Sequence, residues 1–158
     1  MGLNDWLLAL HLLSAFSLVA SMIVFWVAIV AIRHTDLPEQ VVAAGRLFPV
    51  AAVAVTVGSL GTIIFGIWLA ISLDRYQVWD GWVLAAIVLW AIAVEVGRRG
   101  GTAYGTAGME AGRLAAAGTA TSPEVAATFG ASRAFWLHTA SSVLILLILI
   151  DMIWKPGA

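Results

Sequence analysis

Residues 7–22 read LLALHLLSAFSLVASM, and the apolar run they belong to continues without a charged side chain from Trp6 to Ile32. About 20 apolar residues are enough to span the hydrocarbon of a bilayer as a helix. There the backbone must satisfy its own hydrogen bonds, which favours helices over open sheet. His11 and the serines Ser14, Ser17 and Ser21 are the only polar side chains in this run. Three more apolar stretches follow, at about Phe48–Ser72, Val78–Val96 and Phe135–Trp154. The expected architecture is all-α: a single domain over residues 1–158, built as a four-helix transmembrane bundle with antiparallel up-down topology.

Composition agrees. The 158 residues are 62% hydrophobic and 11% charged, with mean hydropathy +1.00. A soluble domain of this size leaves too much of its surface in water to hide so much apolar area. The net charge of −1 gives no electrostatic reason to expect a nucleic-acid partner. The absence of cysteine excludes disulfides, thiolate metal sites and iron–sulfur clusters. MGLNDW has no basic residue ahead of the apolar run, so the first segment is expected to be a retained span rather than a cleaved signal. Trp6 stands where a myristoylation motif needs Ser or Thr.

The connections carry helix-start chemistry. Asp36-Leu37-Pro38-Glu39 reads as an N-cap, a proline in the first turn and an acid at the third helical position. The second helix should therefore begin near Leu37, ahead of its span, with Pro49 as a candidate kink. Ser122-Pro123-Glu124 is a second start, which sets the fourth helix going near Pro123. The third helix is expected to run into the Gly/Ala-rich segment 97–121 and fray there. Helices two, three and four should thus extend beyond the membrane. Arg33, Arg46, Arg98, Arg99, Arg113 and Arg133 fall on the side of these connections, against Arg75 and Lys155 on the other. Six basic residues against two place the connections in the cytoplasm and both termini outside a bacterial inner membrane.

Within the spans, Gly58, Gly61, Thr62 and Gly66 form a small-residue face, with Ser14, Ser21 and Ser141 as small polar residues on other spans. Such residues let helices approach closely, which is the expected role here, with a polar path or a cofactor slot as the alternative. Glu95 stands three and four residues before Arg98 and Arg99, and Asp151 four before Lys155, so both are expected to be helical charge pairs. His11 and His138 have no such neighbour. Each is either a neutral ring bonded to a hydroxyl or carbonyl, or an axial ligand, haem b being the candidate cofactor. At 1.5 Å per residue His11 lies roughly 8–9 Å below Asp5, and His138 about 7–8 Å from Arg133 at the opposite end. Their depths differ by roughly 15–25 Å, which one iron cannot bridge. Met152 lies at the depth of His11 and is its candidate partner ligand for a haem iron, while His34 and Glu95 lie at the depth of His138.

Three stretches carry a resemblance: LLALHLLSAFSLVASM, AIRHTDLPEQVVAAGRLF at 31–48, and GIWLAISLDRYQVWDGWVLAAIVLW at 66–90. The chain resembles a bacterial four-helix "predicted integral membrane protein" family, related to the copper-resistance protein D-like membrane proteins. The resemblance implies the fold and no settled activity. The wider group includes a haem-associated protoporphyrinogen oxidase with an early-span histidine, a place similar to that of His11. That relative pairs its histidine with a lysine in a later span, and spans two and three here have none.

Three functions compete. The first is an accessory or structural bundle acting through partner helices, as a homo-oligomer or within a larger membrane complex. The second is a haem-b electron-transfer or porphyrin-handling protein centred on His11. The third is an oligomeric small transporter or channel. No phosphate-cradling loop and no nucleophile–base–acid set suggests an enzyme.

Overall fold

The structure is a computed structural model that describes residues 2–35, 37–73, 76–120, 122–130 and 132–156. Its helices are α1 (Leu3–Arg33), α2 (Pro38–Gly45), α3 (Leu47–Ser72), α4 (Gly81–Ala116), α5 (Pro123–Phe129) and α6 (Arg133–Trp154). Among the described residues there is no strand. Four helical stretches are long and apolar enough to cross a membrane, as a multi-pass membrane protein requires. At most 28% of the apolar window in any of them is buried within the chain. Side chains such as Phe16, Val50 and Ile153 point outward. An exposed apolar surface of this extent needs lipid or other helices to cover it.

The start signals and helix ends differ in detail from the sequence reading. Pro38 opens α2 in its first turn, but Leu37 takes the N-cap position, and Asp36 lies outside the described residues. The Thr35 hydroxyl accepts from Leu37 N–H and donates to Gln40 Oε1. The break expected at Pro49 falls three residues earlier, at Arg46, which separates α2 from α3. Pro49 offers no N–H to the Gly45 carbonyl, so the helix is interrupted upstream of the ring. Ser122 does cap α5, accepting from Val125 N–H at 3.2 Å. That helix does not run on into the fourth span, however. It stops at Phe129, and Ser132 caps a fresh start, accepting from Phe135 N–H and donating to the Thr128 carbonyl.

The third helix does not fray. α4 runs unbroken for 36 residues. It ends at a left-handed Gly118 (φ 66°), where Thr119 N–H reaches the Leu114 carbonyl and Gly118 N–H that of Ala115. This is a Schellman closure, which needs glycine at the left-handed position. Packing explains the persistence. Tyr104, Ala107 and Ala111 of α4 join Ile29 and Ile32 of α1, Val41 of α2 and Val125 and Phe129 of α5 in a closed apolar core. Here α2, α5 and the far part of α4 form a cap at the arginine-rich end.

The spanning helices pack as two hairpin pairs, α1 with α3 and α4 with α6. In the first, Gly58 of α3 packs on the α1 backbone: a Cβ there would sit 2.7 Å from Leu18 N and 2.8 Å from Ser14 O. Gly61 faces the Ser14 side chain and Gly66 the His11 ring. In the second, Gly97 and Gly100 of α4 face Ser141 and the Ala134–His138 turn of α6. Two indole–hydroxyl bonds join the hairpins, Trp26 Nε1 to Ser142 Oγ and Trp90 Nε1 to Ser59 Oγ, each 2.9 Å.

Gly58→Val should force α1 and α3 apart, because its neighbours are backbone atoms that cannot turn away. We expect a loss of about 1–3 kcal/mol in detergent unfolding. Gly81→Ala, with nothing within 4 Å of the added carbon, should change stability by no more than about 0.5 kcal/mol.

Candidate functional site

Polar side chains gather at three levels of the bundle. Nearest the termini within the first hairpin, His11 Nδ1 lies 3.0 Å from the Thr62 carbonyl oxygen. A carbonyl only accepts, so Nδ1 carries the proton and Nε2 keeps its lone pair in the neutral ring. The imidazole lies over Gly66, where a Cβ would stand 2.9 Å from Cε1. Glycine at 66 therefore makes room for the ring, and Thr62, one turn away, receives its proton. Thr62 Oγ1 itself donates to the Gly58 carbonyl at 2.7 Å. The serines around His11 donate to carbonyls as well: Ser14 to Leu10, Ser17 across the hairpin to Ala54, and the buried Ser21 to Ser17.

His138 occupies a different setting. Its ring lies 4.9 Å from the Trp26 ring centroid, 6.1 Å from that of Phe25 and 6.5 Å from that of Tyr104. The Ser142 hydroxyl accepts from Trp26 and donates to the His138 carbonyl, while Ser141 donates to the Ala93 carbonyl. His138 Nε2 and the Tyr104 hydroxyl are both buried without a hydrogen-bond partner among the described residues. The depth-matched neighbours suggested by the sequence do not meet this ring. Glu95 turns outward to Arg98 and Arg99, and His34 closes the end of α1. His138 touches α1 at residues 25 and 26, so His11 is about 21 Å away along that helix. One iron cannot reach both rings.

The two charge pairs fare differently. Glu95 receives Arg98 Nε at 2.8 Å and Arg99 Nε at 2.7 Å. The expected Asp151–Lys155 pair is replaced. α6 stops at Trp154 and Lys155 takes a left-handed backbone (φ 42°), which carries its side chain off the face that Asp151 occupies. Its ammonium donates to the Tyr76 hydroxyl at 3.1 Å and sits over the Tyr76 and Trp82 rings at 4.4 and 5.4 Å. Asp151 Oδ2 and Trp82 Nε1 are buried without hydrogen-bond partners among the described residues.

A haem b at His11 would find one suitable feature, an imidazole whose Nδ1 proton is fixed by a carbonyl, as axial histidines commonly require. The polar contact of His11 lies on α3, and none links it to Met152 on α6. Among the described residues no three His, Asp or Glu side chains gather closely enough to hold a metal ion. Two concavities lie at the arginine-rich end, and neither is lined by His11 or His138.

Sequence reasoning missed Trp26, Trp90, Ser59 and Tyr104 as specific contact residues. The available signal was the depth of the two tryptophans, since an indole N–H inside hydrocarbon requires an acceptor.

The fit of His11 over Gly66 predicts a coupled pair. Gly66→Ala should destabilise the protein by about 1–3 kcal/mol through overpacking against the ring. In a His11→Ala background the same change should be close to neutral. A double-mutant cycle read by unfolding in detergent checks this, and additive effects would contradict the packing role.

In comparisons with known proteins, the chain matches no family model, no curated protein and no solved structure.

Proposed function

We propose that the protein is an accessory bundle of a bacterial inner membrane that works by docking partner helices, of the four-helix kind its sequence resembles. In this reading both termini lie outside, the helices run up and down through the bilayer, and the arginine-rich connections and cap lie in the cytoplasm. The six-to-two bias of basic residues supports that orientation.

One observation carries the docking role. Gly101, Gly105, Gly108 and Gly112 of α4 are spaced four, three and four apart, and a Cβ on any of them would meet nothing within 4 Å. At 100° per residue they fall on one narrow stripe of the helix. Each exposed helical glycine costs about 0.8–1 kcal/mol relative to alanine. Gly58, Gly61, Gly66, Gly97 and Gly100 offset that cost by admitting a neighbouring helix. The four outer glycines have no such neighbour among the described residues, and Met109, 73% exposed, stands beside them. A flat strip of this kind lets another helix approach at backbone distance.

Gly105→Ala with Gly108→Ala should raise the stability of the isolated protein by about 1–2 kcal/mol. Gly105→Leu with Gly108→Leu should abolish crosslinking through Met109→Cys in native membranes. An unchanged crosslinking pattern would overturn the docking role, whether the partner is a second copy or another protein. Labelling of cysteines introduced at the two ends of the bundle tests the orientation.

The Thr62 carbonyl beneath His11 favours one second reading, a haem b held through Nε2. Expression with added haem should then give a Soret band that His11→Ala removes. A spectrum without that band rules the reading out.

A further inference from the structure

Between α4 and α6, where the apolar part of both helices gives way to the cap, lies a groove of about 370 Å³. Arg98, Arg99 and Thr102 line it from α4, and Arg133, Ala134 and Leu137 from α6. Its charge is unbalanced. Among the described residues Glu95 is the single carboxylate bonded to these arginines, taking two bonds from Arg98 and one from Arg99. Arg133 makes no ion pair among the described residues. Three guanidiniums against one carboxylate leave a net charge of about +2 in one concavity. A guanidinium carries five donors, and Arg98 and Arg99 spend two and one on Glu95. The rest have no hydrogen-bond partner among the described residues. The groove is also amphipathic. Ala134 and Leu137 form its apolar wall, and Trp136, 63% exposed, marks the membrane boundary beside it.

We propose that this groove binds the headgroup of an anionic phospholipid. The phosphate would lie among Arg98, Arg99 and Arg133, and the start of an acyl chain against Ala134 and Leu137. Guanidinium forks match phosphate oxygens in paired hydrogen bonds. Basic pockets between spanning helices suit lipid phosphates for the same reason. A soluble anion would use the arginines but not the apolar wall, whereas a zwitterionic lipid would use the wall but bring a cationic group beside the arginines. The inference requires the helices to cross a membrane. It is independent of the glycine stripe, since a single copy of the chain forms the whole groove.

The test uses the full chain in neutral detergent, with its unfolding midpoint followed while lipid is added. Phosphatidylglycerol should raise the midpoint saturably, and phosphatidylcholine at equal concentration should not. Glycerol 1-phosphate, a soluble phosphomonoester without chains, should neither raise the midpoint nor displace the lipid. Arg133→Gln and Arg98→Gln should each weaken phosphatidylglycerol binding about fivefold. Arg46→Gln removes the same charge from an exposed position outside the groove and should leave binding unchanged. Equal stabilisation by both lipids overturns the proposal without recourse to any variant. So does equal weakening by Arg46→Gln and Arg133→Gln, which would indicate a diffuse field. Full competition by glycerol 1-phosphate would identify a soluble anion as the ligand instead.

Discussion

Two hydrogen bonds between indole and hydroxyl hold the halves of this protein in register. Inside a bilayer an N–H group has no water to turn to, so a deeply placed tryptophan either finds an acceptor or carries a penalty. Trp26 of α1 finds Ser142 of α6, and Trp90 of α4 finds Ser59 of α3. Each hairpin thus gives a donor from its first helix to the second helix of the other. Between these bonds the hairpins meet through the side chains of Leu18, Ala93 and Ile145, in contrast to the glycine-mediated closeness inside each one. Apolar packing alone distinguishes poorly between rotations of one hairpin on the other, because lipid is as apolar as leucine. Directional bonds supply that distinction.

Glycine serves opposite purposes along the chain. At 58, 61 and 66 it admits backbone, a serine and an imidazole, so the loss of a side chain is matched by contact. On the outer part of α4 the same residue type recurs with nothing opposite it. The closed core of the cap, with Ile29, Ala111 and Phe129 almost wholly buried, accompanies a helix that stays unbroken in spite of these glycines. The cap also explains why a segment with weak intrinsic helix preference remains ordered: tertiary packing on its Tyr104–Ala107–Ala111 face outweighs local propensity.

Much of this was legible in the sequence, and the remainder was hidden for identifiable reasons. Apolar length alone marked the four spans, and Pro38 and Ser122-Pro123 marked helix starts. Spacing of three and four residues foretold the Glu95 bonds, because both partners sit on one continuous helix. Identical reasoning failed for Lys155, since spacing means nothing once the helix has ended. The pairing of Trp26 with Ser142 joins residues 116 positions apart, which no local pattern encodes. The contact of His11 depended on a backbone carbonyl, a group every residue possesses, so the sequence marked Thr62 as part of a small-residue face but not as the acceptor for this ring. The length of α4 was underestimated because its support comes from α2 and α5, elements distant in sequence.

Of the four membrane-length segments, those containing α2–α3 and α5–α6 are jointed, whereas α4 has no joint. Its 36 residues reach about 54 Å, against a hydrocarbon layer of about 30 Å. In a bilayer it would stand as a rigid mast. Helices absorb mismatch with membrane thickness by leaning, so any lean of α4 swings its outer end sideways like a lever. The shorter helices are separate pieces, α2 and α3 parting at Arg46 and α6 starting afresh after α5 has ended at Phe129. Stretching or thinning of the sheet would thereby become lateral travel of the cap.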